Sequence, residues 1–166
     1  MQALTIIKIG GKLLDDELAL NQVVDSFSKI NSPKILVHGG GKKTSALCLK
    51  LGIEPQMNEG RRITDFETLE VTTMVYAGLI NKTLVSRLQQ LNCNAFGCSG
   101  ADGNLISAKK RPAKEIDFGF VGDIETINHK LLIQFLKQEI TPVFCAITHD
   151  GPVSYTHLTL PTILLV

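Results

Sequence analysis

Two glycine-rich turns, each following a short apolar run, constrain the fold of this chain more than any other feature. The first run, Leu4 to Ile9, ends at Gly10-Gly11, and the second, Lys34 to Val37, leads into His38-Gly39-Gly40-Gly41. Strand-like and helix-like segments alternate along the rest of the chain, which indicates an α/β fold. In open α/β sheets, ligands bind beyond the carboxyl ends of the strands. We therefore expect both turns at one such edge.

Composition excludes several classes of protein. The 166 residues suffice for one domain with a sizeable core. The net charge of +1 gives no reason to expect nucleic acid or an anionic membrane as a partner. The apolar runs are far shorter than the roughly 20 residues of a membrane span. The four cysteines form no CxxC pair, so we expect buried thiols in a reducing cytoplasm.

The middle of the chain predicts a hairpin followed by a long helix. Residues 55–63 are short, polar and turn-rich, as a small hairpin would be. Thr64-Asp65-Phe66-Glu67 fits a capping box, in which the Thr64 hydroxyl and the Glu67 carboxylate satisfy free amides. The helix that follows, through 65–91, is the longest that the sequence predicts.

Lysine flanks both glycine turns, at Lys8 and Lys12 in the first and at Lys42 and Lys43 in the second. Glycine lets consecutive backbone amides approach a ligand, and a helix that starts just after the turn adds its positive end. Neither turn matches the P-loop or the dinucleotide fingerprint. The pair therefore predicts an anion site, in which two turns hold one phosphoryl group between them.

These turns and several later motifs resemble the acetylglutamate kinases of the amino-acid kinase family. The resemblance covers about residues 3 to 150, in order and with family-like spacing, and rests on Lys8-Ile9-Gly10-Gly11-Lys12, Val37-His38-Gly39-Gly40-Gly41, Asn58-Glu59-Gly60-Arg61-Arg62-Ile63-Thr64-Asp65, Asn81-Lys82-Thr83-Leu84, Ser99-Gly100-Ala101-Asp102-Gly103 and Gly119-Phe120-Val121-Gly122-Asp123-Ile124. It implies a three-layer αβα sandwich with a mostly parallel central sheet, of which this chain is the N-terminal half.

The resemblance also implies an activity. Enzymes of this kind phosphorylate the γ-carboxylate of N-acetyl-L-glutamate with ATP and Mg²⁺, in cytoplasmic arginine biosynthesis. Family members pair through this half, so a homodimer through the 65–91 helix is expected. The acceptor is an N-acyl-L-glutamate, and neither nucleic acid nor a membrane is expected as a partner.

Site residues carried over from the resemblance lie in the two turns and the hairpin. Lys8 and Gly11 are the catalytic candidates, and Lys8, Gly10, Gly11 and Gly40 are those for binding phosphate. Gly40, Gly41 and Arg62 are the substrate-binding candidates, with Arg62 clamping the α-carboxylate through its bidentate fork. No residue is predicted to bind a metal. His38, Arg61, Asp102 and Asp123 are interpreted as structural or surface residues.

The last part of the chain departs from the resemblance. The family places an Asn-x-x-x-Asp stretch and a second lysine later, but this chain has no asparagine after Asn128, no lysine after Lys137 and no aspartate after Asp150. We therefore expect an acylglutamate-binding domain over residues 1–150, with little kinase activity alone. Residues 151–166 carry no Lys, Arg, Asp or Glu, and they are interpreted as a non-native or truncated tail, or alternatively as a true edge strand.

Two other functions fit parts of the sequence. In an α/β serine hydrolase, His38-Gly39-Gly40-Gly41 would form the oxyanion hole and Ser99 the nucleophile, with Asp123 and His149 in the right chain order. Against this, Gly100-Ala101-Asp102-Gly103-Asn104 is a poor start for the helix that must follow the nucleophile. The second alternative is a non-catalytic module that binds an anionic metabolite.

Overall fold

The computed structural model describes residues 3–113, 115–151 and 155–158, the last range through its backbone alone. Among these residues the strands are β1 Thr5–Ile9, β2 Lys34–His38, β3 Met57–Asn58, β4 Arg61–Arg62, β5 Ala95–Cys98, β6 Ile106–Lys110, β7 Val121–Ile127, β8 Thr141–Cys145, β9 Ile147–His149 and β10 Tyr155–Leu158. The α-helices are α1 Gly11–Leu14, α2 Glu17–Ser28, α3 Gly41–Lys50, α4 Phe66–Thr73, α5 Asn81–Gln90 and α6 His129–Lys137.

The central sheet has the strand order β1-β2-β8-β5, and every neighbouring pair is parallel. Alternate residues of each strand face opposite layers. Leu36 and Val143 pack with apolar residues of α2, α3 and α5 on one face of the sheet. Ile35 and Phe144 pack against α6 on the other face. The predicted three-layer αβα architecture with a mostly parallel sheet is therefore confirmed.

Smaller sheets flank this core. β3 and β4 form the expected hairpin, whose turn residues Glu59 and Gly60 have positive φ angles of 47° and 77°. β6, β7, β9 and β10 form a second sheet that closes on itself. Of the predicted tail, residues 152–154 and 159–166 lie outside the described residues, so its non-native origin stays a prediction.

The long helix begins one residue later than its capping box predicts. Asp65, not Thr64, is the N-cap, and its carboxylate accepts a hydrogen bond of 2.8 Å from the Thr68 amide. The assignment of the cap to Thr64 is therefore wrong, because the helix starts at Phe66 and the residue before it, Asp65, supplies the capping oxygen. The helix continues from α4 through a π-helical segment, Met74–Ile80, into α5. No helix within the described residues is long and apolar enough to cross a membrane.

A buried histidine joins the central sheet to α5. His38 is fully buried, and its Nδ1 donates a hydrogen bond of 2.9 Å to the Gly39 carbonyl. Its Nε2 then accepts one of 3.1 Å from Asn81 Nδ2, which also donates to the Val143 carbonyl on β8. Burial lowers the pKa of His38 to about 4, although the bond to Gly39 opposes this shift. His38 is thus a neutral link between β2, β8 and α5.

Replacing His38 by Gln should reduce the loss of stability on acidification. An unfolded imidazole with the ordinary pKa of 6.5 takes up a proton before the folded state does, at about 4. The contribution of neutral His38 to stability is therefore complete above about pH 6.5 and is lost as the pH falls towards 4, by about 3 kcal/mol in all. Urea unfolding of wild type and His38→Gln across this range measures the difference.

His129→Gln is the matched control, since His129 is exposed at the start of α6. It should keep the acid dependence of the wild type. An unchanged acid dependence in His38→Gln would show that His38 accepts a proton equally well in both states, and would contradict the neutral link.

Candidate functional site

The register of β1 against β2 places the two glycine turns side by side. Lys8 is paired with Val37 and Ile9 with His38, so both strands end at the same level. Because the strands are parallel, Gly10 and Gly39 then leave the same carboxyl edge of the sheet. Lys42 Nζ, just after the second turn, lies 3.5 Å from the Asp15 carboxylate, just after α1. The prediction that both turns share one edge is confirmed.

The second turn is pressed closely against the π-helical segment. A Cβ atom at Gly40 would collide with Ile80 Cδ1 and lie 3.0 Å from the Tyr76 ring. Any larger residue would therefore push the turn away from the helix beneath it. Gly40 is the N-cap of α3 and Gly41 its first residue, so the free amides of the helix start at this turn. The positive end of α3 faces the same sheet edge.

Arg62 lies beside the second turn, although it comes from the hairpin. Its side chain is buried, with 6% of its surface exposed. Nη2 donates hydrogen bonds of 2.8 Å to the Gly41 carbonyl and 2.7 Å to Ser45 Oγ. Nη1 is buried and has no hydrogen-bond partner among the described residues. Nη2 thus anchors the guanidinium, and Nη1 keeps its capacity to donate hydrogen bonds.

The first turn is open. A Cβ atom at Gly10 or at Gly11 would meet no atom within 4 Å apart from those of its neighbours in the chain and of its own helix backbone. Gly10 is the N-cap of the short helix α1, which leaves the amides at its start without helical partners. Lys8 is half-buried on β1, two residues before this turn. The structure therefore brings Lys8, Gly10, Gly11, Gly40, Gly41 and Arg62 to one end of the sheet.

Two residues at this site escaped the sequence analysis. Ser45 lies one helical turn after Gly41, a spacing that marks it as a neighbour of the turn. Tyr76 is buried, and its hydroxyl lies 4.0 Å from the position that a Cβ would take at Gly39 or Gly41. Burial raises the pKa of Tyr76, although the Arg62 charge opposes this, so its hydroxyl stays protonated. Nothing local in the sequence marks Tyr76.

The serine hydrolase alternative has no support in the structure. Ser99 Oγ donates a hydrogen bond of 2.7 Å to the Asp102 carboxylate rather than to a histidine. His149 Nε2 lies 2.8 Å from Asn104 Oδ1, and the carboxylate of Asp123 is paired with Arg111. A bend and a single 3₁₀ turn follow the serine in place of the helix that a nucleophile elbow requires.

Among curated proteins, this chain is similar to acetylglutamate kinases. The chain is 50% identical over 162 residues to the acetylglutamate kinase of Phocaeicola vulgatus, a match that covers 98% of this chain and 63% of that relative. It is 52% identical over 152 residues to the acetylglutamate kinase of Cytophaga hutchinsonii, covering 91% of this chain and 58% of the relative. The chain thus spans about 60% of the length of these relatives.

Solved structures share the fold at low sequence identity. An N-acetylglutamate synthase from Neisseria gonorrhoeae matches with a TM-score of 0.77 at 19% identity, over 93% of this chain and 36% of that one. The protein smu.665 from Streptococcus mutans matches with a TM-score of 0.76 at 19% identity, over 93% of this chain and 63% of that one. The family model of the amino acid kinases matches residues 3–157. This chain therefore belongs to the amino acid kinase family.

Proposed function

We propose that this chain is the acceptor-binding part of an acetylglutamate kinase, which transfers the γ-phosphoryl group of ATP to the γ-carboxylate of N-acetyl-L-glutamate. The relatives of about 50% identity carry that name. The observation that carries the proposal is the buried Arg62, whose Nη1 has no partner beside the start of α3. As the resemblance implies, we place this activity in arginine biosynthesis and in the cytoplasm.

A buried guanidinium needs partners that replace its lost hydration. Removing a charge from water costs several kcal/mol, on the order of the stability of a small domain, unless an opposite charge or hydrogen bonds compensate it. No acidic residue among those described forms an ion pair with Arg62. A carboxylate of the acceptor would accept a charge-assisted hydrogen bond from Nη1. We assign this role to the α-carboxylate, with the reacting end of the acceptor at Gly40 and Gly41.

The first turn would serve the phosphoryl group. Phosphoryl transfer depends on positioning and on neutralising charge on the transferring oxygens. The amides of Gly10, Gly11 and Gly40 border the edge where both turns end. Lys8 would supply the positive charge from β1. The open space at Gly10 and Gly11 leaves room for the phosphoryl oxygens.

The fit of this chain to ATP with Mg²⁺ is partial. Bound there, the nucleotide would supply the phosphoryl group, for which the two glycine turns offer amides and an unobstructed approach. In the part of the chain that the structure describes, no group of three or more His, Cys, Asp or Glu side chains is placed to hold a metal ion.

An acceptor-binding part alone is expected to bind N-acetyl-L-glutamate without turning over ATP. The resemblance implies an Asn-x-x-x-Asp stretch and a second lysine later in the chain, but here no asparagine follows Asn128, no lysine follows Lys137 and no aspartate follows Asp150. N-acetyl-L-glutamate should bind to this chain in isothermal calorimetry, while a coupled ATP-turnover assay stays at background. Arg62→Lys should weaken binding by about 10-fold or more, because a charge-assisted hydrogen bond is worth about 1.5 to 3 kcal/mol and lysine lacks the planar fork.

Arg61→Lys is the matched control, because Arg61 is exposed on the same strand of the hairpin. Its affinity for N-acetyl-L-glutamate should equal that of the wild type. Equal affinities in both variants would remove Arg62 from the acceptor site. Robust acetylglutamate-dependent turnover by this chain would contradict its assignment as the acceptor-binding part alone.

We also propose that two copies pair through the helix that runs through residues 65–91. Met74 and Leu79 are each 59% exposed in its π-helical segment. They lie five residues apart, which is about one turn of a π-helix, so they share one side. Two large apolar side chains on one exposed side favour a contact with a second copy.

Sedimentation of the purified chain at micromolar concentrations tests the pairing. The wild type should sediment as a dimer, and Leu79→Glu should sediment as a monomer because it places a charge in the apolar contact. Leu18→Glu on α2 is the control, since Leu18 is 78% exposed outside this helix, and it should remain dimeric. A folded, monomeric wild type would refute the pairing.

A further inference from the structure

The described residues contain two buried side-chain nitrogen or oxygen atoms that have no hydrogen-bond partner, Arg62 Nη1 and Thr64 Oγ1. Buried polar groups in native proteins are almost always paired, so each exception calls for an explanation. The proposed function uses Arg62 and gives Thr64 no role. The two residues are nevertheless neighbours on one short segment.

This segment is extended, and its side chains alternate in burial. Arg61 is exposed, Arg62 is buried, Ile63 is half-buried and Thr64 is fully buried. In an extended chain, residues two apart point to the same side. The orphan guanidinium nitrogen and the orphan hydroxyl thus leave the backbone on the same side of the segment, the side on which Arg62 meets α3.

The backbone of Thr64 is fully engaged, which holds its side chain in place. Its amide donates a hydrogen bond of 2.9 Å to the Phe118 carbonyl, and its carbonyl accepts one of 2.7 Å from the Phe120 amide. The approach is close, since a Cβ at Gly119 would collide with the Thr64 carbonyl. The cap of the following helix comes from Asp65, which leaves the Thr64 hydroxyl unused by the fold.

We propose that Thr64 is a further acceptor-binding residue, whose hydroxyl donates a hydrogen bond to the carboxylate that Arg62 Nη1 binds. This inference rests on the proposed function and adds a ligand to the same site. A carboxylate has two acceptor oxygens, so one can take the guanidinium N–H while the other takes the hydroxyl. Binding would then satisfy both orphan groups at once.

Two substitutions separate the hydroxyl from the shape of the side chain. Thr64→Val keeps the volume and removes the hydroxyl, whereas Thr64→Ser keeps the hydroxyl and removes a methyl group. Calorimetry with N-acetyl-L-glutamate should show about 10-fold weaker binding for Thr64→Val and at most about 3-fold weaker binding for Thr64→Ser. Without ligand, the melting temperature of Thr64→Val should equal or exceed that of the wild type, since an unpaired buried hydroxyl is lost.

Each other result overturns the inference. If Thr64→Val binds N-acetyl-L-glutamate as well as the wild type, Thr64 is not a ligand, while the proposed function stands. If Thr64→Ser binds as weakly as Thr64→Val, the methyl group matters rather than the hydroxyl. A lower melting temperature of ligand-free Thr64→Val would show that the hydroxyl has a partner within the chain. If the wild type does not bind the acceptor, the proposed function and this inference both fail.

Discussion

The parallel pairing of β1 with β2 determines where every part of the candidate site lies. With Ile9 opposite His38, the turns at Gly10 and Gly40 leave adjacent strands at one edge of the sheet. On its other side β2 is joined to β8 and α5, because His38 is hydrogen-bonded through Asn81 to the carbonyl of Val143 on β8. A shift of this register by two residues would move one turn along the strand axis by about 7 Å, too far for both turns to contact one phosphoryl group.

In the proposed function, Arg62 lowers the stability of this edge in exchange for binding the acceptor. One side of its guanidinium is anchored to Gly41 and Ser45, while Nη1 is buried without a partner. A protein selected for stability alone would pair or expose such a group. Departures from the usual pairing of buried polar groups are found most often at binding and catalytic sites. The unpaired hydroxyl of Thr64 on the same extended segment fits the same pattern.

The sequence predicts the local elements and both glycine turns, because these depend on short-range patterns. The hairpin before Thr64 and the helix after it are recognisable from turn residues and helical spacing. The choice of Asp65 over Thr64 as the cap depends on the contact of Thr64 with the segment around Gly119, more than 50 positions later. Tyr76 is likewise placed by the packing of its helix under Gly40, which no local pattern encodes.

Nuclear magnetic resonance of the backbone amides tests whether the two glycine turns form one anion-binding edge. The chain is titrated with N-acetyl-L-glutamate and inorganic phosphate together. We expect the amide resonances of Gly10, Gly11, Gly40 and Gly41 to shift in the same titration, while that of Gly52, beyond the far end of α3, stays in place. Shifts confined to one of the two turns, or absent from both, would contradict it.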